Sequence, residues 1–382
     1  MRLARCLLLA LAGFVLLAPT AAAGKRTVPY RFFGAVYDRE LLAAGNGAQR
    51  PHWALMARTG VEAVRIPFHW SDAQPRRDIP PSFEITDRVV SLAAARRLSI
   101  LPVVARTPAW ARSDPGAAEA PPVRPGPYVA YLRALVDRYG PGGRFWRERR
   151  DLPKRPIRTW QIENEPQFAG PWRDSAGRPI RWMTGYTRLL KASYRAIKAK
   201  DRRATVVLAG MTNRAWNRLA WLYRSGARRY FDVAAIHPFT RRPDDVLEAV
   251  RRFRAVMRRH GRRERRKPVW VTEMGWSGAK GRMARIPPFQ TWATSDRNVA
   301  RNLTRAYSLL ARNRRRLGLR RVYWYTWASD YRGDGFVSIF EYSGLLRYRG
   351  GRTRRMPAWR AYLRSARRYE GCAKTSVGAC AR

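Results

Sequence analysis

Eight short apolar runs punctuate the chain: YRFFGAV (30–36), VEAVRIPF (61–68), LSILPVVA (98–105), IRTWQIE (157–163), TVVLAG (205–210), FDVAAIH (231–237), KPVWVTEM (267–274) and RVYWYTWA (321–328). They are rich in β-branched and aromatic residues and are continuous where a half-exposed strand would alternate. Strands covered on both faces read this way. Between the runs the apolar positions change to helical spacing. In YVAYLRALVDRYG (128–140), Val129, Leu132, Val136 and Tyr139 make one stripe, and 183–200 repeats the pattern with Tyr186, Leu190, Tyr194 and Ile197. Residues 245–259 and 297–314 are further amphipathic segments. This alternation predicts an α/β fold in which eight parallel strands close into a (β/α)8 barrel. The competing arrangement, an open doubly wound sheet, expects a Gly-rich phosphate turn after its first strand, and FFGAVYDRE has one glycine.

No internal repeat and no long linker divides the 382 residues, so the barrel is expected to form a single domain. The stretch SDPGAAEAPPVRPGP (113–127) reads as a barrel loop because a helix follows at once. The loops after the seventh and eighth strands are long, and barrel active sites are built from loops at that end.

The formal net charge is +50, from 77 Lys and Arg against 27 Asp and Glu, and only 8 of the 77 are Lys. The arginines are spread in twos and threes, with one denser run, RRHGRRERRK (258–267). With no zinc-finger spacing, RNP-like aromatic motif or helix-turn-helix, specific nucleic-acid recognition is not expected. The charge reads mainly as a solvated surface that favours anionic surroundings, and it points to an acidic glycan as partner. The 15 Trp and 17 Tyr exceed what packing alone calls for and suit stacking on flat ligands.

MRLARCLLLALAGFVLLAPTAAAGK has the form of a secretory signal: Arg2 and Arg5, an apolar core at 6–18, then Ala21-Ala22-Ala23. Export is therefore expected, with residues 1–23 as signal, 24–368 as the barrel domain and 369–382 as a tail. An uncleaved membrane anchor is the alternative. Cys372 and Cys380 are expected to close a small disulfide loop in that tail. With two cysteines in the mature chain, four His and no His/Asp cluster at ligand spacing, neither a metal nor a cofactor is expected.

The polar residues at the strand ends carry the candidate chemistry. The second strand ends with Arg65, His69 and Trp70, the fourth with Asn164 and Glu165, and the sixth with His237. The seventh ends with Glu273, followed by Trp276, and the eighth with Trp327 and Asp330. Closing the barrel brings these ends to one face and sets Glu165 opposite Glu273. Two carboxyl groups facing each other across a cleft are what glycosidic bond cleavage requires.

NEP at the end of the fourth strand and TEMGW at the end of the seventh resemble the clan A glycoside hydrolases, retaining (β/α)8 enzymes that include the cellulase-like family 5 and the β-xylosidase and iduronidase family 39. VRIPFHW around Arg65, TPAWA (107–111), IHPF around His237, YWYTWAS around Trp327 and the closing GLLR…PAWRAY (344–362) also fit, so the resemblance covers roughly residues 30–365. It implies an O-glycosyl hydrolase, expected as a monomer acting on an oligo- or polysaccharide. Glu165 would be the acid/base and Glu273 the nucleophile. Asn164 would bind the sugar 2-hydroxyl, Arg65 would hold Glu273 ionised, and His237 would orient one carboxylate. Trp327 would floor the sugar site, with Trp276, Trp70 and Trp110 as stacking walls.

Two positions depart from the family pattern. Glu163 stands before NEP where relatives carry an aromatic residue or glycine, and it reads as a structural carboxylate paired with an arginine. Phe239 stands where many relatives carry a tyrosine bonded to the nucleophile. Two other functions remain open on the residues alone: a carbohydrate-binding barrel without catalysis, and a basic scaffold for an anionic polymer.

Overall fold

The computed structural model describes residues 25–38, 40–212, 214–283, 286, 290–330, 338–349, 352–371 and 377. The expected signal segment and the Cys372–Cys380 pair lie outside the described residues.

The apolar runs form eight parallel strands: β1 (Phe33–Val36), β2 (Ala63–His69), β3 (Ser99–Ala105), β4 (Thr159–Ile162), β5 (Thr205–Val207), β6 (Ala234–Ile236), β7 (Val269–Met274) and β8 (Leu319–Trp324). Their order is β5-β4-β3-β2-β1-β8-β7-β6, so β1 pairs with both β2 and β8. A parallel bridge from Val207 to Val233 joins the two outer strands and closes the ring. The last run is the one whose limits move. β8 starts at Leu319 and stops at Trp324, while Ala328–Asp330 belongs to a separate small sheet with Leu346–Arg349 and Arg352–Arg355.

Side chains pointing inward fill the barrel with Val36, Ala63, Leu101, Val207, Trp270 and Tyr323. Gly34 makes room for this layer, because a Cβ there would lie 2.5 Å from the Tyr323 ring. A helix follows each strand and packs outside it. The helix Asp296–Leu317 turns Val299, Leu303, Ala306, Tyr307 and Leu310 inward, the i, i+4, i+7 pattern of a core-facing stripe. Tyr307 stacks on Phe33 with ring centroids 4.7 Å apart. Ser295 caps the start of this helix by accepting from Asn298 N, and Gly318 ends it at φ 63, a conformation that costs glycine little.

The helices run back against the strands, so their C-terminal ends gather at the face where the strands begin. There the first and last described segments meet. Thr27 N donates to Tyr369 O at 2.8 Å, and Arg26 pairs with Glu62. The opposite face, at the strand C-termini, carries the candidate site.

Candidate active site

β4 stops at Ile162 because the next residues cannot remain extended. Glu163 and Glu165 take left-handed backbone conformations, φ 61 and 45, on either side of Asn164, and Pro166 has no N–H to continue a ladder. Each left-handed non-glycine residue costs about 1–2 kcal/mol. Neighbouring strands hold the turn: Glu163 N donates to Val104 O at 3.0 Å and Glu165 N to Gly210 O at 3.2 Å.

Arg65 organises the floor of the site. Its guanidinium donates to Glu273 Oε1 at 2.6 Å, to Asn164 Oδ1 at 2.7 Å and to Gln161 Oε1 at 2.8 Å, linking β2, β4 and β7. Gln161 is buried and is fixed in turn by donating to Leu208 O. His237, 1% exposed, places Nδ1 2.7 Å from Glu165 Oε1 and 3.8 Å from Glu273 Oε2. Its other face lies on Gly210, where a Cβ would meet Nε2 at 1.9 Å, so a glycine is required there.

Burial pushes the His237 imidazole down to about 3, so the ring is neutral. Burial also pushes the Glu165 carboxyl up to about 7, against the pull of Arg65 and Arg218. Glu273 too is raised by burial, while the Arg65 cation pulls it down. Two buried carboxyls this close hold a proton between them. Arg65 touches Glu273 and not Glu165, which places the negative charge on Glu273 and the proton on Glu165.

Both carboxyls open into a cavity of about 900 Å³, within the range of ligand pockets. The aromatic residues lining it are Phe168, Phe239, Trp292, Tyr325 and Phe340, and Phe168 is 58% exposed at the rim. None of the four expected tryptophans is among its lining residues. Trp327 is fully buried and donates to His52 Nδ1 at 3.3 Å, because the β8 ladder ends at Trp324 and strand alternation no longer sets its direction. Tyr325 lines the site from this strand end. Trp276 packs on Trp324 and donates to Arg241 O. Trp70 stacks on Tyr131 and donates to Gln74 Oε1, and Trp110 packs edge-on against Trp70 and donates to Gln74 O. His69 does line the cavity and pairs with Asp72 at 3.2 Å.

Glu163 also departs from expectation. It is 7% exposed, its Oε1 has no hydrogen-bond partner, and no arginine lies within ion-pair distance among the described residues. Arg106, the nearest cation acting on it, pairs instead with Glu119 at 2.6 Å. Burial pushes the Glu163 carboxyl up to about 8, so it is protonated at neutral pH.

Glu165, His237 and Glu273 each offer a donor atom, and all three atoms lie within 4.8 Å of one another. Such a trio has the composition of a metal-binding group. Here the Arg65 cation already neutralises Glu273 and opposes a second positive charge beside it.

No family model matches the sequence, and no curated protein matches it. Solved structures do. A family 39 glycoside hydrolase from Bacteroides cellulosilyticus WH2 superposes with a TM-score of 0.66 at 19% identity, over 90% of this chain and 64% of that one. A monomeric β-xylosidase from Caulobacter crescentus CB15 gives 0.60 at 18%, over 89% and 69%. A family 5 enzyme from Streptomyces cattleya, solved with Manβ1-4GlcNAc, gives 0.61 at 18%, over 91% and 81%. The fold is that of these glycoside hydrolases. The chain spans just under two thirds of the family 39 hydrolase. In this barrel the carboxyl pair stands at the ends of β4 and β7.

Proposed function

We propose that the protein is an exported retaining O-glycoside hydrolase that cleaves a β-linked glycan by double displacement. One observation carries this reading: Glu165 and Glu273 meet over the neutral His237 ring with donor atoms within 4.8 Å. Retention requires carboxyl groups about 5–5.5 Å apart, because the second carboxylate must reach the anomeric carbon itself. In the first step Glu273 attacks that carbon while Glu165 gives its proton to the departing oxygen. In the second, Glu165 takes a proton from water, which displaces Glu273. Arg65 keeps the nucleophile charged. Phe239 supplies no donor to Glu273, so this duty rests on Arg65. Asn164, its Oδ1 taken by Arg65, has Nδ2 left to donate to a sugar hydroxyl.

The cavity supports a neutral glycan over the acidic one suggested by the overall charge. Asp38, Asp72, Glu84 and Glu119 line it besides the catalytic pair, while its two arginines, Arg65 and Arg106, are already engaged by Glu273 and Glu119. A polyuronate entering here would meet like charge.

The test is hydrolysis of a panel of neutral and acidic glycans by the parent protein and by Glu165→Gln and Glu273→Gln. Loss of the acid/base is expected to slow turnover by about 10²–10⁴, and loss of the nucleophile to abolish it, with thermal melting preserved in both. A mechanism-based fluoro-sugar should label Glu273. Full activity in either variant would overturn the assignment. Sugar binding without hydrolysis by the parent would instead favour the non-catalytic barrel.

A further inference from the structure

A cluster of exposed arginines lies at the face opposite the cavity. Because the helices run back against the strands, their last turns end there, and several of those turns are arginine-rich. The helix Pro243–Arg259 ends in Arg258 and Arg259, Asp296–Leu317 in Arg315 and Arg316, and Pro357–Glu370 carries Arg367 and Arg368, all exposed. The short helix Arg262–Arg266 adds Arg262, Arg263, Arg265 and Arg266, also exposed. Cations at helix C-termini are favourable to each helix, but one or two would suffice for that.

These segments are joined into one surface. Arg228 donates to His260 O and Arg258 to Arg316 O, each at 2.7 Å. Arg314 donates to Thr27 O at 2.7 Å, and Thr27 N to Tyr369 O. Among the described residues none of the exposed arginines just named has an acidic side chain within ion-pair distance. Of the carboxyls on these segments, Glu264 is buried and taken by Lys267 and Tyr223, and Glu370 is buried and accepts from Val377 N.

Two further observations bear on what covers this face. Its cations are guanidinium groups, which match phosphate oxygens two at a time. The chain also leaves the described structure here, at Lys25 beside Thr27, and the sequence just upstream holds the apolar run 6–18. We propose that this arginine face docks on an anionic phospholipid membrane, holding the catalytic mouth away from the surface. A membrane supplies phosphate over a flat area wide enough to engage several helix ends at once.

The test is sedimentation of the full chain with vesicles of phosphatidylcholine alone or mixed with phosphatidylglycerol. Binding should require phosphatidylglycerol and should fall at least tenfold between about 50 and 500 mM NaCl. The variant Arg262→Glu/Arg263→Glu/Arg315→Glu/Arg316→Glu should lose at least tenfold in affinity. The reversal Arg76→Glu/Arg77→Glu, on the loop after β2 at the mouth side, should bind as the parent does. Thermal melts and turnover of both variants show whether each is folded, and the pairs 262/263 and 315/316 reversed separately stand in if the quadruple variant is not. Equal binding to neutral vesicles, unchanged binding by the folded base variants, or tighter binding to soluble polyphosphate than to vesicles would each overturn the proposal.

Discussion

The two glutamates of the proposed reaction differ by what touches them. Arg65 stands 2.6 Å from Glu273, whereas among the described residues the side chain at hydrogen-bond distance from the Glu165 carboxyl is the neutral His237. The acid must carry its proton, and burial has moved that proton's loss up to about 7. Activity as kcat/KM should therefore fall as pH rises through about 7, and a pH–rate profile of Glu165→Gln with an activated substrate should lack that alkaline limb. Glu163 gives a stability signature instead. Its folded-state carboxyl titrates at about 8, against about 4.3 in the unfolded chain. Between those values the folded protein holds a proton that the unfolded chain has released, so stability falls as pH rises across the window. Glu163→Gln should flatten this slope. Its melting temperature should exceed that of the parent most at pH 8 and approach it near pH 5. These carboxyl positions were legible in the sequence because a strand's last residues are fixed by the barrel closing around them. The state of Glu163 was not legible: nothing local in IENEP tells that Arg106 is claimed by Glu119.

At the scale of elements, the strands were readable because burial on both faces leaves an unbroken apolar run. The first strand shrank to Phe33–Val36 and the last moved to Leu319–Trp324, where Arg320 and Arg321 had masked its start. The helices Asn46–Thr59 and Ala215–Arg224 escaped notice, the first with a proline inside it and the second short. The tryptophans misled for a related reason. Period-two alternation fixes side-chain direction only within a ladder, and Trp70, Trp276 and Trp327 lie beyond the last strand residue. Their indole N–H groups are all engaged inside the protein. Trp70→Phe, Trp276→Phe and Trp327→Phe should each lower stability by about 1–3 kcal/mol, since each removes part of a buried ring and the hydrogen bond it donates, with KM unchanged in the folded enzyme. Tyr325→Ala and Trp292→Ala should do the reverse, raising KM or lowering kcat with little change in melting. Denaturant titration beside steady-state kinetics separates the two groups.

For the molecule as a whole, a net charge of +50 on one barrel is a source of self-repulsion. Raising NaCl from about 20 to about 500 mM should raise the melting temperature, because screening weakens repulsion among exposed arginines more than it weakens the buried Arg65–Glu273 pair. A melting temperature that fell with salt would mean that exposed ion pairs outweigh that repulsion. The charge total was plain from the sequence. The arginine cluster at the strand N-terminal face was not, because it depends on helices distant in the sequence ending side by side. The bond from Thr27 to Tyr369 lies at that face too, and β1 sits between β2 and β8 with no gap. A ring has no first strand. The linear order of this chain is therefore one of several equivalent ways to cut the same circle, and the cavity would survive a circular permutation that joined the region of residue 25 to that of residue 371 and opened the exposed Arg76–Arg77 loop.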